Sequence, residues 1–425
     1  MMKRFVVRNA PSESLHPFAT SATTDARNSG AVTTSSVLSK IHGNKWFLAF
    51  RQILPLYLAI HLAGFVIIAC FSVLISHPDF YSTNPPIYTL WQNWDRWDTG
   101  HFLFIAENGY TTPMRSAFFP LYPMLIRGTM LFIHSPVIAA LLVSNFAGLV
   151  MLVVFYQLVC EDFDIERAQR AVLYFSLFPT AFFFLAAYNE SLFLCLVLLS
   201  FYHMRRGHWW LAGLFGFLAA LTRSAGLLLS LPFCYEYFRQ HQFQFKNVRF
   251  SIISVALVPA GTALFAVYCS IRFGDFLSFS HAQSAWSRQF EPPWYGIVNS
   301  IYVVIHSPDF LSFLSLRYLV DLVPDLFILA IIILSVVGPW RFRRDYWAYT
   351  IYGIVLYIFS NLAPIVGVYT FPLAAASRYL LEVFPAFIVL ASVGKYRIVH
   401  FNYLLVAGTS FVALLTLFLM GHWII

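Results

Sequence analysis

The stretch from Trp91 to Tyr110, WQNWDRWDTGHFLFIAENGY, sets Asp95, Asp98 and His101 among Trp91, Trp94 and Trp97, in a chain where only 11% of residues are charged. A carboxylate can take the proton of a hydroxyl, and an imidazole can assist or simply hydrogen-bond to it. Read as a helix, Asp95, Asp98 and Phe102 fall at i, i+3 and i+7, and Asp98, His101, Phe102 and Ile105 share a face. Asn108-Gly109 is a C-terminal stop for such a helix. With Trp94, Trp97, Phe102 and Phe104 it suits the plane of a membrane interface, where tryptophans are ordinary belt residues. An aspartate there is not ordinary: it is disfavoured unless paired or used. Arg96 and Arg115 are the structural partners at hand. The alternative is Asp98 as a general base, with Asp95 close by and His101 assisting or held as a structural contact.

These residues need a scaffold, and composition names its class. Hydrophobic residues make up 59% of the 425, against about 45–50% in soluble domains, so the expectation is an all-α polytopic membrane protein. The net charge of +8 comes from short Lys/Arg clusters between apolar runs; these orient helices and do not indicate nucleic acid. Cys70, Cys160, Cys195, Cys234 and Cys269 lie in or beside apolar runs without metal-ligand spacing, and read as buried free thiols. Residues 1–45 are rich in Ser, Thr and Ala and read as a disordered cytoplasmic tail. No apolar segment near Met1 suits a cleaved signal peptide. Residues 46–425 form the membrane domain.

Apolar runs lie near 52–76, 136–159, 170–187, 190–204, 208–222, 226–239, 251–272, 319–338, 347–368, 379–394 and 401–420, giving about eleven transmembrane helices. Basic clusters occupy alternate connections: the tail, ERAQR (166–170), MRRGH (204–208), RQHQFQFKNVR (239–249), WRFRR (340–344) and KYR (395–397). By the positive-inside rule these are cytoplasmic. The loop 77–135, YNES (188–191), LTRSAG (221–226), the long loop 273–318 and YTFPLAAASR (369–378) are then extracytoplasmic, and the carboxylates of the opening stretch lie outside. No internal repeat is visible, which weakens a transporter built from inverted repeats.

RWDTGHFLFIAENGY followed by AFFPLYPMLIR (117–127) resembles the signature of the GPI mannosyltransferase 2 family, whose eukaryotic members add the second mannose of the glycosylphosphatidylinositol anchor and which has bacterial and archaeal relatives. The resemblance continues in order through SLFPTAFFFLAAYNESLF (176–193), LAALTRSAGLLL (218–229) and SRYLLEVFPAFIVLAS (377–392). It implies a GT-C glycosyltransferase-like fold, an interfacial helix in the first extracytoplasmic loop, and an isoprenyl-phosphate sugar as donor. It also implies that an acidic residue of that loop acts at the acceptor; Asp98 occupies the matching position, with Asp95 near it.

In such a transfer the sugar leaves a lipid phosphate with inversion, the acceptor hydroxyl loses a proton to a carboxylate, and the leaving phosphate needs a cation. The planar fork of Arg fits phosphate, and Arg223 and Arg378 sit at extracytoplasmic ends of spans, against the positive-inside bias. Snorkelling to the interface is the plain alternative for each, but two such arginines outside favour Arg378 and Arg223 as the residues that bind the donor phosphate. Asn189 and Glu190, Trp94 and Trp97, and Gln283 and Trp286 of the segment HAQSAWSRQFEPPW are candidate acceptor or sugar contacts, Glu190 equally a structural one. The prolines of AFFPLYP shape the cavity. No Asp-x-Asp occurs in the first loop, so no metal and no cofactor is expected beyond the lipid-linked donor. The expected partners are isoprenyl-phosphate mannose, a lipid or glycolipid acceptor and membrane lipids. The membrane is the plasma membrane in a prokaryote or the endoplasmic reticulum in a eukaryote. The rival reading is a transporter or lipid flippase using the outer carboxylates as an ion or substrate site; charges deep inside spans would favour it.

Overall fold

The computed structural model describes residues 31–74, 91, 93–307, 309, 312–367 and 371–422. Contacts divide the chain into residues 1–45 and 46–425, and the second unit holds everything discussed below. Of the expected tail, residues 1–30 lie outside the described residues, as do 77–90 and 92 of the expected first outer loop.

Apolar runs become helices because, away from water, each backbone N–H must find its carbonyl within the segment. Among the described residues, five helical stretches are long and apolar enough to cross a membrane: Lys45–Cys70, Pro136–Asp162, Phe250–Phe273, Phe313–Val336 and Arg397–Leu419. A bent pair, Ala376–Glu382 and Phe384–Val393, makes a sixth if taken as one span. The remaining apolar runs form shorter helices, among them Glu190–Arg205, Trp209–Ala220, Ser230–Gln240 and Trp347–Asn361. Among the described residues, pairing of extended backbone is limited to a single bridge between Arg288 and Ile365.

One expected span is not continuous. The run 170–187 is a helix over Ile165–Ser176, then one tight turn over Ala181–Phe184. Pro179 explains the break, since it cannot donate to a helix continuing through it. Irregular backbone at membrane depth is tolerated only when protein covers it, and residues 180–198 are all buried. Proline also bends the pair at Val383. Pro385 stands in the first turn of the second arm, and the two arms meet at 80°. The bend leaves Arg378 and Glu382 on the short first arm.

Small residues bring helices together. A Cβ on Gly261 would lie 2.4 Å from the carbonyl oxygen of Phe217, so the Trp209–Ala220 and Leu257–Phe273 helices touch backbone to backbone there. A Cβ on Gly226 would lie 2.6 Å from the carbonyl of Ala219, which lets the turn carrying Arg223 fold back on the helix before it.

The basic connections meet at one end of this bundle. Arg205 reaches Asp162 at 2.7 Å and Glu236 at 3.0 Å, and donates to the Asp345 carbonyl at 2.6 Å. Arg206 pairs with Glu161, Arg239 with Glu236 and Asp345, and Arg170 donates to the Ala391 carbonyl. Arg205 ends the helix that Glu190 begins, a helix of 16 residues. At 1.5 Å per residue the two charges are roughly 22 Å apart along its axis.

Candidate active site

Glu190 marks the other end, where segments distant in sequence converge. Asp98 is the first residue of a helix running to Asn108, which ends on Gly109 at φ 72°. The expected helix therefore starts at Asp98, and Asp95 does not share its face: Asp95 lies exposed in the turn before it. Trp97, at φ 53°, is the reason, because a residue in the left-handed region cannot continue a helix backwards. The start of this helix is pinned by Thr99, whose hydroxyl reaches the carbonyls of Trp94 and Ala187 at 3.2 Å each. Tyr188 donates to the Arg96 carbonyl at 3.0 Å.

Asp98 and Glu190 each open a helix, where unpaired N–H groups favour a carboxylate. Arg378 lies between them. Its Nη2 is 2.8 Å from Asp98 Oδ2, and its Nε is 2.9 Å from Glu190 Oε1. Arg223 contacts the same Glu190 oxygen at 2.7 Å and Glu382 Oε1 at 2.8 Å, and donates to Asn189 Oδ1 at 2.9 Å. Asn189 in turn donates to the Thr222 carbonyl at 3.1 Å, tying its own turn to that of Arg223. The ring of Tyr379 lies 5.3 Å from the Arg378 guanidinium, 5.4 Å from that of Arg223 and 5.5 Å from that of Arg288. Behind the cluster, Asp321 accepts from the Ser377 hydroxyl at 2.7 Å while paired with Arg317 at 2.8 Å, fixing the backbone next to Arg378.

Exposure separates the carboxylates. The side chains of Glu190 and Glu382 are 0% and 2% exposed, and that of Asp98 is 23% exposed. Glu190 Oε2 is buried with no hydrogen-bond partner among the described residues. Asp98 is thus the one acid of the cluster that an incoming molecule can reach.

His101, one turn on from Asp98, stacks on Phe118 at 4.6 Å and meets Trp286 edge-on at 5.9 Å. Burial holds its imidazole below the usual range; Asp98 pulls the other way and Arg115 adds to the depression. Trp286 therefore reaches the site, whereas half-buried Gln283 is tied into its own loop through its carbonyl, which accepts from the Arg288 amide. Trp94 is 4% exposed and packs against Phe418, so it belongs to the core, while Trp97 is 43% exposed beside Asp98. The partners suggested for the aspartates, Arg96 and Arg115, do not pair with Asp98. Arg96 donates to the Leu419 carbonyl, and Arg115 lies 3.5 Å over the Phe104 ring. Glu382 and Tyr379 were not singled out from the sequence. An acid four residues after Arg378 inside an apolar run was the signal available. Among the described residues no cluster of His, Cys, Asp or Glu has the arrangement to hold a metal.

The sequence model of the family described as mannosyltransferase (PIG-V) matches residues 44–361. That range includes Asp98, Glu190 and Arg223 and stops before Arg378 and Glu382. The GPI alpha-1,6-mannosyltransferase 2 of Rattus norvegicus is 31% identical over 202 residues, 42% of this chain and 41% of that protein. The GPI mannosyltransferase 2 of Yarrowia lipolytica is 28% identical over 164 residues, 38% of this chain and 44% of the relative. The matched part of the chain thus spans less than half the length of these relatives. Among solved structures, ArnT from Cupriavidus metallidurans bound to undecaprenyl phosphate superposes with a TM-score of 0.51 at 14% identity, covering 83% of this chain and 62% of that one. At that identity the likeness is one of fold.

Proposed function

The chain belongs to the mannosyltransferase (PIG-V) family, and from that premise we propose that it moves mannose from an isoprenyl-phosphate donor to a lipid or glycolipid acceptor, with inversion, on the extracytoplasmic side of a membrane. The observation that carries this reading is the asymmetry of the acidic cluster: Asp98 is 23% exposed while its neighbours Glu190 and Glu382 are sealed.

In this reading the acceptor hydroxyl approaches Asp98. Its oxygen forms the new bond to the anomeric carbon as the bond from that carbon to the phosphate oxygen breaks. The hydroxyl proton passes to Asp98, and the bonding pair leaves with the lipid phosphate. A base must be ionised and aimed before the reaction. Arg378 aims it, holding Oδ2 of Asp98 at 2.8 Å. Arg378 is itself anchored by Glu190, and Glu190 by Arg223. Arg378 and Arg223 are in this account positioning residues, because a phosphate reaching either fork would have to displace a carboxylate already there. The side assignment rests on the two ends of the bundle: the basic connections gather at one, and Asp98, Glu190, Arg223 and Arg378 at the other.

The test is a transfer assay with purified protein, labelled isoprenyl-phosphate mannose and a glycolipid acceptor, run with and without EDTA. Label is expected in the acceptor with wild type in both conditions, and not with Asp98→Asn. Equal transfer by wild type and Asp98→Asn overturns the assignment of the base. Loss of transfer in EDTA overturns the metal-free scheme.

A further inference from the structure

The cluster around Asp98 has a charge balance that matters for the donor. Arg378 and Arg223 are paired with three carboxylates, Asp98, Glu190 and Glu382, and the third arginine beside the Tyr379 ring, Arg288, donates to the carbonyls of Ala363 and Ala374. A phosphate arriving there meets cations whose donors already point at acids. Charge near the leaving group must come from elsewhere on the open side of Asp98.

Arg115 is such a cation. It stands on the short turn Pro113–Ala117, with its guanidinium 3.5 Å from the centroid of the Phe104 ring. Its Nη1 donates only to hydroxyls, Thr111 Oγ1 at 3.1 Å and Thr112 Oγ1 at 3.4 Å. Its Nε is buried without a hydrogen-bond partner, and no carboxylate lies within ion-pair distance of it among the described residues. With Nε buried and Nη1 bonded only to neutral hydroxyls, the Nη1–Nη2 edge is the part that forks onto phosphate oxygens. His101 stands near both groups, since Asp98 and Arg115 each act on its imidazole, in opposite senses. Asp98, His101 and Phe104 are successive i, i+3 neighbours on one helix, covering about 9 Å of its axis.

Resting on the mannosyl-transfer reading above, we propose that Arg115, with the His101 ring beside it, is the subsite that receives the phosphate of the isoprenyl-phosphate donor, and that Phe104 is its platform. The sugar then lies along the helix toward Asp98, and the phosphate stays outside the acidic cluster. The hydroxyls of Thr111 and Thr112 hold Arg115 in place before the donor arrives.

Direct binding separates this proposal from the reading it rests on. Wild-type protein in detergent is titrated with a labelled short-chain isoprenyl phosphate, and with the isoprenol of equal length, which lacks only the phosphate. Wild type is expected to prefer the phosphate. Arg115→Ala should bind it about ten- to a hundredfold more weakly, as fits a charged hydrogen bond, with isoprenol binding unchanged. Arg115→Lys should fall between, keeping charge without the fork. If Arg115→Ala does not fold, Arg115→Lys and Phe104→Leu carry the same comparison. Phosphate binding by these variants equal to wild type, or lost on Arg378→Ala alone, overturns the subsite and leaves the transfer reading standing. A wild type that does not distinguish phosphate from isoprenol overturns the donor class itself.

Discussion

Arg378 holds Asp98 at 2.8 Å, from a segment that follows almost the whole bundle in sequence. The contact joins the start of the Asp98–Asn108 helix to the tip of the bent pair before Phe384. Asp98 is thereby at once the exposed acid and a member of a buried ion network, since Arg378 also contacts Glu190 and Glu190 contacts Arg223. In the proposed role, a base held in this way is aimed before substrate binds.

Replacing Asp98 with Asn keeps the shape and removes the proton acceptor. Positioned general bases supply roughly 10²–10⁴-fold, so turnover of purified Asp98→Asn should fall by that factor with donor binding retained. Turnover within about tenfold of wild type would rule out this role.

Arg378 tests positioning. If, as proposed, the arginine aims the base and does not touch the donor, Arg378→Ala should lower kcat more than it raises the donor KM. Arg378→Lys restores a charge without the two-sided reach of the guanidinium and should recover part of kcat. Steady-state kinetics with a short-chain donor decides; a pure KM effect would move Arg378 to the donor site.

Glu190 is 0% exposed and balances two arginines. Removing one partner of a buried ion pair typically costs about 3–5 kcal/mol because the other charge is left unpaired. Glu190→Ala should therefore unfold far more readily than Asp98→Asn in detergent, as read by the apparent thermal midpoint. Equal midpoints would show that water or lipid compensates the arginines.

His101 makes a pH prediction. Its pKa is depressed in the folded protein, mainly by burial, so the folded state favours neutral imidazole. That contribution to stability is present above the unfolded value of about 6.5 and is lost as pH falls below it toward the depressed folded value. Between about pH 7.5 and about pH 5.5 the wild-type midpoint should drop further than that of His101→Gln. Parallel drops would show that the imidazole titrates alike in both states.

Sidedness is tested by labelling. Lys246 and Ala285 are both exposed, the first in the basic connection after Gln240 and the second in the loop beside Trp286. Single cysteines there, in a background without the native cysteines, should react with an impermeant reagent from opposite sides of the membrane. Reaction from the same side would break the assignment of the active end.

The sequence by itself determined the solvent of this protein, because composition and the lengths of apolar runs are local properties. Alternation of basic clusters along the chain distinguishes one set of connections from the other, and the structure gathers Arg205, Arg206 and Arg239 with their acids at one end. Asp98 was visible because an aspartate among interfacial tryptophans needs a reason. What only the tertiary structure decided was pairing and continuity. Nothing within a few residues of Asp98 identifies Arg378 as its partner, and Arg115, much nearer in sequence, stacks on Phe104 instead. Asp95 fell away from Asp98 because Trp97 turns the backbone before the helix begins. Glu382 joined the site because Pro385 bends its segment at Val383. A buried charge must find an opposite one, which a sequence announces; which one it finds depends on where bends and close helix contacts bring distant segments, and that is settled only when the bundle packs.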